Sequence, residues 1–145
     1  PEGFRLLAAL PEMDPQVNMT SYITGFLGER EIGPVNVSVG IYQWGRPGES
    51  YDAKVTLLVA EDESRAESAM FNYRSQPDYQ ALLARGVPIF GNATINGHET
   101  LEIKDIRGDG SIRYLYLWRN GNIVALVEGN ADRAKSMELA SATGL

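Results

Sequence analysis

The chain offers one imidazole and no thiol. His98 stands just after the Asn96-Gly97 pair, and a lone imidazole works as a general base only with a hydroxyl or thiol nucleophile beside it. No such motif surrounds it, so a solvated ring at a turn is the expected role. The absence of cysteine excludes thiol catalysis, disulfides and thiolate zinc sites. Zinc at His98 would need three carboxylate or water ligands, an unusual shell for that ion. No metal and no cofactor is expected.

Carboxylates are more plentiful. Glu61-Asp62-Glu63 could supply the acid and base of a glycosidic hydrolysis, but the run precedes a helix start, where negative charge meets the positive end of the dipole. The stretch Asp105-Ile106-Arg107-Gly108-Asp109-Gly110 looks like part of a calcium loop. It lacks the acidic middle residue and the distal Glu, and a plain Asp-Gly turn explains it better. Gly108 and Gly110 have no third glycine and lead into a strand, whereas a dinucleotide fingerprint must open a helix. Neither a Walker sequence nor a Gly-x-Ser-x-Gly elbow occurs. The sequence therefore points to a non-enzymatic domain, with a carboxylate-dependent hydrolase, His98 nearby, as the competing expectation.

The aromatic residues are the most informative. On a pleated strand over 111–119, Ile112, Tyr114, Tyr116 and Trp118 share one face, and Arg113, Leu115, Leu117 and Arg119 the other. The next strand is apolar on both sides: Ile123, Ala125 and Val127 against Val124 and Leu126. Both faces of this hairpin must then be covered. Tyr42 and Trp44 also project together from an earlier strand. Packing of one face under helices and the other under the N-terminal third accounts for the pattern. The alternative is a partly exposed face that binds a sugar, an apolar ligand or another subunit. In that case Tyr42, Trp44, Tyr114, Tyr116 and Trp118 are the candidate ligand-binding residues.

Those strands belong to a longer series. Phe4 to Leu10 reads as a short helix ended by Pro11, and residues 19–28 as a second short helix or an extended segment. Alternation predicts strands over Val35–Trp44 and Tyr51–Ala60, with Gly45-Arg46-Pro47-Gly48 as a turn. Ser64 with Glu67 three residues later has the pattern of a capping box. Ala66, Ala69, Met70 and Tyr73 continue it as one apolar stripe. Pro77 stops or kinks that helix, and Tyr79 to Arg85 adds a turn or two. Strands follow over 89–95, His98–Asp105, Ser111–Arg119 and Asn122–Glu128, with Asn96-Gly97 and Asn120-Gly121 as hairpin turns. Asn130 or Asp132 caps a last helix. The expected class is α+β: one domain over 1–145, a single antiparallel sheet of five to six strands flanked by two main helices, and an irregular 1–34 segment packed on it.

A net charge of −6, from 13 basic and 19 acidic residues, argues against nucleic acid as a partner. Lys104, Arg107, Arg113 and Arg119 lie close in sequence but read as solvated strand and turn positions. No apolar run approaches the roughly 20 residues of a membrane span. The first residue, Pro1, suggests a processed or truncated product whose signal or anchor has been removed or was never there. Three N-x-S/T triplets, at Asn18, Asn36 and Asn92, lean toward an extracytoplasmic or cell-surface setting.

The Ile95-Asn96-Gly97-His98 turn, the Tyr114–Asn122 hairpin and the small-residue terminal helix give the chain a resemblance to exported or lipoprotein-type α+β domains. In order of elements it is similar to Mog1/PsbP-like domains. The resemblance implies an antiparallel sheet flanked by helices and a binding or accessory role outside the cytoplasm, and it carries over no catalytic residue. The expected partner is a protein, an envelope component or a small ligand at the aromatic face, with a homodimer as a further alternative.

Overall fold

The computed structural model describes residues 4–14, 16, 18–44, 51–106 and 110–145. Among them seven strands, β1 (Phe4–Leu10), β2 (Asn36–Trp44), β3 (Tyr51–Val59), β4 (Phe90–Ile95), β5 (His98–Ile106), β6 (Ile112–Asn120) and β7 (Ile123–Glu128), form one open sheet. Its order is β1-β2-β3-β7-β6-β5-β4, and every neighbouring pair is antiparallel. Among the described residues four helices accompany it: α1 (Thr20–Ile23), α2 (Glu63–Arg74), α3 (Pro77–Ala84) and α4 (Arg133–Ala142). A 3-10 turn over Thr24–Phe26 continues α1. The α+β class holds, with one strand more than expected.

That extra strand is a correction. Phe4–Leu10 is β1, the sheet edge beside β2, and not a short helix. Leu and Ala favour helices in isolation, but ladder hydrogen bonds to β2 override so weak a preference. The register slips between Leu6 and Ala8, and this bulge scrambles the alternation that would have marked a strand.

Helix α2 is capped by Asp62, whose side chain accepts from the Arg65 amide; the cap lies two residues before the expected Ser64. Pro77 stands at the first turn of α3, where its missing amide donor costs nothing. Asp132 caps α4 by accepting from the Lys135 amide. The Gly45–Gly48 turn lies outside the described residues.

Alternation along the central strands creates two cores. Leu58, Leu115, Leu117, Val124 and Leu126 face α2 and α3, packing with Phe26, Ala66, Ala69, Tyr73 and Tyr79. Ala53, Val55, Tyr116, Trp118, Ala125 and Val127 face α4, with Leu139 and Ala140. Helices thus cover both faces, as the doubly apolar β6–β7 hairpin demands. Among the described residues no helix is long and apolar enough to cross a membrane.

Candidate functional site

The α4 face gathers most of the aromatic residues that the sequence singles out. Tyr116 and Trp118 lie at its centre with 0% exposure, while Tyr42 and Tyr114 are half-buried and pack against the same cluster. Trp44 ends β2 opposite Phe4 and Tyr51, but its side chain lies outside the described residues. Tyr116 Oη donates to Glu102 Oε2 at 2.8 Å, and Arg133 Nε donates to the same oxygen at 2.8 Å. Burial first, and then that carboxylate, raise the Tyr116 phenol above its ordinary value. The Trp118 Nε1 has no acceptor among the described residues. Both side chains are closed to solvent, with Leu139 and Ala140 of α4 in the same cluster, so neither is open to a ligand as the protein stands.

The other face is more open. Between α2 and the start of β5 lies a cleft of about 430 Å³, lined by Arg30, Phe71, Arg74, His98, Glu99 and Arg119 together with Glu67 and Met70. Helix α2 turns Ala66, Ala69, Asn72 and Tyr73 into the core, which leaves Phe71 and Arg74 on its outer side. Asn72 then works in the opposite sense. Its Nδ2 donates to the carbonyls of Phe26 (2.9 Å) and Arg30 (2.8 Å), and its Oδ1 accepts from the Arg30 amide (3.0 Å). The irregular loop is thereby fastened to α2, and the Arg30 guanidinium lies 3.7 Å above the Phe71 ring. Arg74 approaches the same ring at 5.6 Å. Both distances are within cation–π range.

The three arginines differ in what they already hold. Arg119 donates to Glu67 at 2.9 Å and to the Gly121 carbonyl at 3.0 Å, with Glu63 at 3.9 Å. It is neutralised where it stands and ties α2 to the sheet. Arg30 and Arg74 have no carboxylate partner among the described residues. A second hollow of about 460 Å³ shares Met70, Arg74 and Glu99 with the cleft and runs on to Asn92 and Thr94 of β4. No family model, curated protein or solved structure matches this chain.

Of the residues the sequence points to, His98 and Arg119 belong to this cleft. The Lys104-Arg107-Arg113-Arg119 strip does not form. Lys104 pairs across from Tyr114, on the α4 side, whereas Arg119 shares the other face. Arg113 and Arg119 are six residues apart on one strand, about 20 Å, and Arg107 lies outside the described residues. So do Gly108 and Asp109 of the calcium-like stretch. Among the described residues no three His, Asp or Glu side chains converge for a metal. The acidic run at 61–63 is spread between the Arg65 pair of Glu61, the cap of Asp62 and the Arg119 contact of Glu63.

Arg30, Phe71, Arg74 and Glu99 escape the sequence reading. Phe71 offers the one usable signal: an aromatic outside the apolar stripe of α2, with Arg74 at i+3 on the same helical surface. Arg30 sits in a segment without periodicity, so nothing local places it.

Proposed function

We propose that the protein is a binding domain whose ligand presents an anionic group to the cleft between α2 and β5. The observation that carries this is the pair of guanidiniums, Arg30 and Arg74, gathered on Phe71 without carboxylate partners among the described residues. Arg30, its backbone fastened by the buried Asn72 carboxamide, and Arg74, carried by α2, form a preorganised receptor for a carboxylate or phosphate. It faces outward from a chain of net charge −6, so the positive field is local and selects by geometry. Calorimetric titration with citrate and with inorganic pyrophosphate tests it. Arg30→Gln and Arg74→Gln should each weaken binding about tenfold, whereas Lys104→Gln, on the other side of the sheet, should not. Equal affinity in all four proteins would overturn the proposal.

The setting we assign is extracytoplasmic, with a protein or envelope partner, as the resemblance implies. The three triplet asparagines, Asn18, Asn36 and Asn92, are all exposed, as glycan acceptors must be. A carboxylate-dependent hydrolase is the second reading, favoured by the meeting of Glu67, Glu99 and His98 in one cleft. Against it, Glu67 is already engaged by Arg119 at 2.9 Å, and among the described residues no hydroxyl or thiol nucleophile lines the cleft beside His98.

A further inference from the structure

The cleft opens onto the sheet edge formed by β4, and the phase of its ladder can be read from one bond. The Lys104 amide donates to the Ile89 carbonyl at 2.8 Å, and Ile95 and His98 flank a two-residue turn with positive φ at Asn96 and Gly97. Counting in steps of two from either end, Ile95, Ala93 and Gly91 spend their backbone groups on β5. Asn92 and Thr94 therefore turn their N–H and C=O groups outward. Among the described residues, no further strand lies beyond β4 in the sheet.

Such an edge is usually protected by charge, proline or a bulge. β1, at the other edge, has its bulge at Leu6/Ala8. β4 reads Phe-Gly-Asn-Ala-Thr-Ile, with no charge, no proline and a register unbroken over all six pairs with β5. Alongside it runs the hollow of about 460 Å³ lined by Met70, Arg74, Asn92 and Thr94. The edge supplies backbone partners, Arg74 a cation and Met70 an apolar contact. Glu99, in the same hollow, disfavours a densely acidic occupant.

We infer that β4 receives an extended segment of a partner protein as an eighth strand, with one acidic side chain of that segment directed at Arg74. This deepens the anion-binding proposal and rests on it. Main-chain bonds at Asn92 and Thr94 would give affinity, and the Arg74 contact would give selectivity. A glycan on Asn92 would close the groove.

The test uses a blocked seven-residue peptide, Thr-Val-Glu-Val-Thr-Val-Thr, with citrate titrated separately. On peptide binding the Asn92 and Thr94 amides should become protected from hydrogen exchange. Replacing the peptide's Glu by Gln should weaken binding about tenfold in the native protein and not at all in Arg74→Gln. N-methylation of alternate peptide amides should abolish binding in one of its two phases only. Thr94→Pro removes an outward donor without touching the β5 ladder; it should lose the peptide and keep citrate. Citrate binding without protection of Asn92 and Thr94 leaves the cleft proposal standing and overturns this one. Failure of both ligands overturns both. Protection of β1 instead, or of β4 through self-association without peptide, also overturns the eighth-strand assignment.

Discussion

A carboxamide buried in a helix must find partners for its donors and its acceptor, and Asn72 finds them in the loop before β2. It is 3% exposed, and each bond it makes ends on the backbone of Phe26 or Arg30. Asn72→Ala leaves two carbonyls and one amide without that partner. We expect a stability loss of roughly 1–3 kcal/mol, read from the urea midpoint at pH 7. Citrate affinity should fall with it, because Arg30 is no longer held above Phe71. Lost stability with unchanged affinity would show that something other than Asn72 positions Arg30. Single residues were only partly legible in the sequence. The alternation at 112–118 places Tyr116 and Trp118 on one face correctly, but alternation says nothing of what lies above that face. Asn72 was opaque for the opposite reason: its partners lie more than forty positions earlier in the chain.

At the scale of elements, the sheet and α4 meet through a connection with no spare volume. Gly129 donates to the Tyr114 carbonyl at 2.8 Å. A Cβ there would collide with Ser136 Oγ and stand 2.9 Å from the Tyr114 carbonyl oxygen. Ser136 in turn bonds the Asn130 amide at 3.0 Å and the Asp132 carbonyl at 2.8 Å, so it has no free direction in which to retreat. Gly129→Ala should therefore push α4 off the sheet, at a cost of roughly 1–3 kcal/mol from overpacking. Tryptophan emission should shift to the red as Trp118 meets water, ahead of the main urea transition. Coincident transitions with an unshifted emission would mean that α4 accommodates the methyl. Elements with local signals were legible: the two Asn-Gly hairpins, the acidic start of α2 and the last helix's cap, narrowed to Asn130 or Asp132, all lie within a few residues of what they control. β1 was not, because its strand state comes from β2, whose paired residues lie 29 to 40 positions away.

Over the whole molecule, the two cores share a sensitivity to alkali. Tyr73 is 7% exposed on the α2 face and Tyr116 is fully buried on the α4 face. Burial is the leading cause that raises both phenols, followed by Tyr79 beside Tyr73 and Glu102 beside Tyr116. A phenol whose folded pKa is raised stays protonated in the native state after its unfolded counterpart has ionised. Below about pH 10, the ordinary value, both states are protonated and stability does not depend on these groups. Above it the unfolded chain releases protons that the native chain retains, so stability falls as pH rises. The slope is about 1.4 kcal/mol per pH unit for each tyrosine. In an alkaline titration, part of the tyrosinate absorbance should be withheld until the far-UV circular dichroism collapses. Because the two phenols occupy opposite sides of one sheet, Tyr116→Phe should shrink the withheld step without removing it. A smooth tyrosinate curve, complete while the sheet is still folded, would show that one or both layers admit water well before the strands separate.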